Sequence, residues 1–190
     1  MEVVSSSPAA SAPAARTDAF RVLFVCVGNV CRSPVAERLL AARLPADRFE
    51  VSSAGTGAMV GYGMSQYAAE ELRGLGGDPT GFGARQLEPE MVERSDLVLT
   101  ATRKLRSRVL ADAPEALRRT FTILEFAVLV QQAEGSSAAE RVSWAGIHRS
   151  LVGNAEQDVP DPFRRGVEEH ALAAATIDVA VQQIAKGLEP

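Results

Sequence analysis

Cys26, Cys31, Arg32 and Ser33 stand within one short stretch, residues 26–33, with Val27, Gly28, Asn29 and Val30 between the two cysteines. A thiol close to a guanidinium is an activated nucleophile, because nearby positive charge favours the ionised sulfur. Arg32 offers a planar fork of N–H donors that can grip two oxygens of a phosphate and stabilise the charge developing on it. Gly28 permits the backbone angles of a tight cradle and Asn29 tolerates a left-handed turn conformation. The Ser33 hydroxyl can donate to a thiolate, either as nucleophile or as leaving group. These residue types at this spacing suit covalent phosphoryl transfer, with Cys26 as nucleophile and residues 27–33 holding the phosphate.

Such a loop must be set by its flanks. Residues 22–25 are apolar and rich in β-branched side chains, which predicts a strand buried on both faces of a parallel sheet. Pro34 suits the first turn of a helix, where its missing N–H costs nothing. Strand, loop and helix N-terminus in succession make the loop amides converge on one point under the positive end of the helix dipole. An anion belongs there.

The run Cys26-Val-Gly-Asn-Val-Cys-Arg-Ser-Pro34 resembles the signature of the low-molecular-weight protein tyrosine phosphatases, bacterial type. The resemblance implies a phosphomonoester hydrolase, foremost a protein-tyrosine phosphatase. It further implies a loop after the second strand, here residues 52–57, that lines one side of the cleft and includes Ser53. The plainer reading of 52–57 is a Gly-rich turn. It also implies that Cys31 can form a reversible disulfide with the nucleophile, protecting it from over-oxidation; the alternative is a small buried hydrophobe.

Breaking a phosphate ester needs a proton for the departing oxygen. Residues 158–163, Asp-Val-Pro-Asp-Pro-Phe, are stiffened by two prolines, so a carboxyl there can be held over the cleft. The family carries its general acid on a late Asp-Pro-aromatic motif, and Asp161 matches that position, with Asp158 as the alternative. Phe163 supplies one aromatic wall against which a phosphotyrosine ring can stack, with Met59 and Tyr62 beside it. Arg164 takes the place where this family often carries a second tyrosine. With Arg165 it makes the rim more basic, which suits an acidic peptide or a second phosphate on the substrate.

Alternating strand and helix patterns predict a three-layer α/β/α fold with a four-stranded parallel sheet in flavodoxin-like order 2-1-3-4, its ligand crevice beyond the strand C-termini. Further strands are expected at 49–53, 96–100 and 120–124, with helices at 35–44, 64–75, 88–94, 102–112 and 167–184 and two helical patterns within 125–151. Trp144 and His148, at helical spacing, are expected to pack against the core or each other. The cluster Arg103, Lys104, Arg106 and Arg108 reads as a solvated helix face.

At 190 residues, 46% of them hydrophobic, the chain suits a single domain, expected over 20–190 after a Ser/Ala/Pro-rich disordered leader over 1–19. A net charge of −4 argues against a nucleic-acid surface, and no apolar run is long enough to span a bilayer. Two cysteines so close together are a poor staple, which fits a reducing cytoplasm. No cofactor or metal is expected, and a monomer or weak dimer acting on phosphotyrosine proteins or other phosphomonoesters is. Two rival functions remain: an arsenate reductase of the same fold drawing on an external small thiol, and a non-catalytic phospho-ligand-binding regulator.

Overall fold

A computed structural model of the chain describes residues 19–153 and 155–189; all but the last residue of the expected leader lies outside the described residues. The strands are β1 (Phe20–Cys26), β2 (Phe49–Gly55), β3 (Leu97–Thr100) and β4 (Thr120–Thr122). The helices are α1 (Arg32–Ala41), α2 (Gln66–Gly74), α3 (Pro89–Glu93), α4 (Arg103–Asp112), α5 (Ile123–Val130), α6 (Ala138–Ile147) and α7 (Val167–Leu188). Short 3-10 turns occupy Pro114–Arg119 and Arg149–Val152.

All strand pairs are parallel, in the order β2-β1-β3-β4. Side chains alternate across the central strand. Val22, Phe24 and Cys26 enter a core shared with α1, α5 and α7, whereas Leu23 and Val25 meet Val92 of α3 and Val109 of α4 on the opposite face. The result is a three-layer α/β/α fold. Its register sets Cys26 opposite Gly55, and Val25 between Ala54 and Thr100, so three strands end together beneath the loop that follows Cys26. Gly55 leaves that loop room: a Cβ there would lie 2.4 Å from the Val27 carbonyl oxygen and 3.0 Å from the Asn29 nitrogen.

The expected strand over 120–124 is corrected at its end. Thr122 Oγ1 accepts the Glu125 N–H, and the Glu125 carboxylate accepts the Thr122 N–H, so a reciprocal cap starts α5 at Ile123. Ile123 and Leu124 carry strand-like side chains but belong to the helix. Glu125 is buried and pairs with both Arg106 and Arg149. Arg149 also donates to the carbonyls of Leu117 and Thr120 and lies 4.0 Å from the Phe121 ring centroid. These bonds tie the long connection after α5 to the edge of the sheet. Within it, Trp144 and His148 stack at 3.9 Å.

Candidate active site

The loop between β1 and α1 is shaped by where its carbonyls go. Those of Cys26, Val27, Gly28 and Val30 accept N–H groups from Thr56, Gly57, Met59 and Ser65 respectively, all in the segment after β2. In a trans peptide the C=O and the following N–H point opposite ways. Drawing four carbonyls outward therefore turns the N–H groups of Val27, Gly28, Asn29 and Cys31 inward. The Asn29 N–H accordingly donates to Cys26 Sγ at 3.2 Å. Asn29 makes the turn possible by adopting φ 53°, a left-handed angle that asparagine tolerates better than most residues.

Asn29 is completely buried and its side chain is fully engaged. Its Oδ1 accepts the Arg85 N–H, while Nδ2 donates to Ser33 Oγ at 2.9 Å and to Ser53 Oγ at 2.8 Å. Each serine then has one proton to place. Ser33 donates to Cys26 Sγ at 2.9 Å, and Ser53 donates to Glu37 Oε2 at 2.6 Å. The direction of every bond is fixed from the carboxylate inward, and the last one lands on the sulfur. Burial pushes the Glu37 carboxyl above its ordinary range, against the Ser53 hydroxyl that favours its charge. Sequence reading passed over Glu37, although its position one helical turn after Ser33 was a usable signal.

A cleft of about 130 Å³ opens above the loop, lined by Cys26, Val27, Val30, Arg32, Asp161 and Phe163 among others. Arg32 is buried, with NH1 on the Val159 carbonyl at 3.3 Å and NH2 on Asp161 Oδ2 at 2.8 Å. Asp161 Oδ1 accepts the Phe163 N–H, which aims the carboxylate back at the cleft. The neighbouring Asp158 instead takes the Arg103 backbone N–H and guanidinium. Partial burial works against its charge, but Arg103 outweighs this and holds Asp158 below the ordinary carboxylate range. Of the two candidate acids, Asp161 is the one that lines the cleft with Cys26.

Cys31 also borders the cleft, with Sγ 3.3 Å from Ser65 Oγ. Burial pushes its thiol upward, and the nearby Cys26 and Asp161 act the same way, so at neutral pH it stays protonated. Both thiols are free. Met59 and Phe163 stand at the mouth. Ser53 lies fully buried beneath the loop, so it supports the cleft from below and does not wall it. Tyr62 is 64% exposed and outside the cleft lining, and Arg164 sits over the Phe163 ring at 5.3 Å. Among the described residues no group of three or more His, Cys, Asp and Glu could hold a metal ion.

The profile of the family described as low molecular weight phosphotyrosine protein phosphatase matches residues 21–136. The chain belongs to this family. It is 30% identical over 167 residues to the low molecular weight protein-tyrosine-phosphatase Etp of Escherichia coli K12, covering 88% of this phosphatase and 93% of that one. In structure it is similar to the Erwinia amylovora tyrosine phosphatase amsI, with TM-score 0.70, 25% identity and coverage of 93% and 97%. It also resembles the YwlE arginine phosphatase of Geobacillus stearothermophilus, with TM-score 0.67, 28% identity and coverage of 88% and 91%. Among the described residues no helix of this phosphatase is long and apolar enough to cross a membrane.

Proposed function

We propose that this tyrosine phosphatase works through a phosphocysteine on Cys26. The substrate dianion enters between the inward N–H groups and Arg32, taking over guanidinium donors that Asp161 holds. Sγ attacks phosphorus in line, forming the S–P bond as the ester P–O bond breaks. Protonated Asp161 gives its proton to the departing oxygen. Water then attacks phosphorus while Asp161 takes a proton from it. The S–P electrons return to the sulfur, which the Ser33 hydroxyl and Asn29 N–H stabilise as leaving group. Under peroxide, Cys26 would become a sulfenic acid that the Cys31 sulfur attacks with loss of water, and the resulting disulfide would protect the nucleophile from over-oxidation until an external thiol reduces it.

The observation that carries this reading is the convergence of Cys26, Arg32 and Asp161 on one cleft. Phe163, 43% exposed at the mouth, and Met59 offer an apolar wall that suits a phosphotyrosine ring on a protein. The test is hydrolysis of p-nitrophenyl phosphate by the chain and by Cys26→Ser, with phosphotyrosine and phosphoarginine peptides compared alongside. The serine variant is expected to retain phosphate binding and lose turnover by several orders of magnitude; measurable steady-state hydrolysis by it overturns the assignment. Faster cleavage of the phosphoarginine peptide would transfer the substrate class to that of the YwlE neighbour. Thiol-dependent arsenite release without ester hydrolysis would favour the reductase.

A further inference from the structure

Beside the catalytic cleft runs a wider groove of about 700 Å³. It shares Val27, Arg32 and Asp161 with the cleft, so the two are continuous. Its far wall is one face of α4, with Arg103, Lys104 and Arg108, and its floor includes Thr56 and Thr102.

The cations of α4 differ in what they meet. Arg106 turns inward to Glu125. Arg103 is neutralised by Asp158 and Glu156. Lys104 has no hydrogen-bond or ion-pair partner among the described residues, and Arg108 reaches only the Thr56 carbonyl, at 3.4 Å. These last two stand four residues apart on the helix, where like charges repel. Glu156, Asp158 and Asp161 also line the groove, but they are held by Arg103 and Arg32, which leaves Lys104 and Arg108 as its cations with no carboxylate partner among the described residues. Within a groove, such charge is focused by the low-dielectric walls toward whatever enters.

We propose that Lys104 and Arg108 form a second anion subsite, which takes a carboxylate or a second phosphate from a residue flanking the scissile phosphate of a protein substrate. The inference rests on the phosphatase reading above and names the substrate class that reading leaves open: phosphoproteins whose target residue lies next to negative charge. The charge of the subsite acts on substrate capture, so its signature is in KM and in salt dependence, not in the chemical step.

The experiment uses three phosphotyrosine peptides of equal length with neutral flanks, glutamate flanks or a second phosphorylated residue. They are assayed on the full chain and on a Lys104→Ala/Arg108→Ala variant at low and high salt. On the unaltered chain the anionic peptides are expected to show KM about threefold to tenfold lower than the neutral one, the worth of one or two exposed ion pairs. The ratio of kcat/KM between anionic and neutral peptides should fall to about one in the variant and shrink in high salt. Preference for the doubly phosphorylated peptide alone identifies phosphate as the ligand, and equal preference admits the carboxylate. A ratio near one on the unaltered chain, or a ratio the variant retains, overturns the subsite. If the unaltered chain fails to hydrolyse even p-nitrophenyl phosphate, the phosphatase reading fails and takes the subsite with it.

Discussion

One buried and one part-buried glutamate anchor two polar clusters of this molecule, and they are built to opposite ends. Glu125 is only 4% exposed at its side chain, yet it meets two arginines and caps its own helix, so every bond of its cluster closes on the cluster. Glu37, 13% exposed, has the Ser53 hydroxyl as its close partner, with Arg38 at 3.6 Å. From there the bonds run outward through Asn29 and Ser33 to Cys26. A closed cluster stabilises a fold; an open one transmits orientation to a reacting atom. The two regions should therefore respond differently to the loss of a single group.

The sharpest contrast pairs the acid proposed for catalysis with the structural one. Asp161→Ala is expected to lower kcat by about 10²–10⁴-fold on phenyl phosphate, where the leaving group needs a proton, and far less on p-nitrophenyl phosphate. Its melting temperature should fall less, because Asp161 is half exposed and Arg32 keeps the Val159 carbonyl. Glu125→Ala should do the reverse: removing one partner leaves two arginines with uncompensated charge and costs about 3–5 kcal/mol in denaturant unfolding. The kcat of its folded fraction should persist. If Glu125→Ala loses rate without losing stability, the division between the regions is wrong.

A milder probe is Glu37→Gln. An amide can present N–H to Ser53 and so disturb the fixed direction of the bonds that end on the sulfur. The expected drop in kcat is about twofold to tenfold, the worth of one neutral hydrogen bond. Stability at neutral pH should not fall. A carboxyl raised by burial costs the native state progressively as pH rises above its ordinary value of 4.5, and the amide carries no such cost. Loss of stability equal to that of Glu125→Ala would erase the comparison.

The smallest effect concerns His170 on α7, buried against Tyr67 and beside Pro162. Burial pushes its imidazole below the ordinary 6.5, against the pull of Glu71, Glu169 and Asp161. The unfolded chain then binds the proton more readily than the native one. The contribution is intact above pH 6.5 and is lost as pH falls below it. His170→Phe should flatten the acid side of a melting-temperature profile as pH falls from about 6.5 to about 5; an unchanged slope would remove His170 from the account.

The loop between β1 and α1 was legible because its signal is local. Strand, cradle and helix start lie in consecutive residues, so spacing alone brings Cys26 and Arg32 together. That the sheet is parallel followed from the alternation of strands and helices. The β4 to α5 boundary was misjudged because Ile123 and Leu124 look like strand, although Thr122 and Glu125 spell the reciprocal cap three residues apart. What sequence could not give was anything assembled from distant segments. Ser53 reads as a cleft residue until β2 is seen to pass beneath the loop. Arg149 has no visible role until it folds back onto Glu125 and Phe121. The face of α4 read as solvated, and only the return of residues 156–161 makes it the wall of a groove.

Gly55 touches no substrate, yet its missing side chain governs how low the catalytic cradle can sit. A methyl group there would press on the Val27 carbonyl and the Asn29 nitrogen together, so the loop could not keep its place. The phosphate seat proposed for this loop is thus hostage to an atom that is absent from a neighbouring strand, and a change at Gly55 would silence the enzyme while every residue facing the cleft kept its identity.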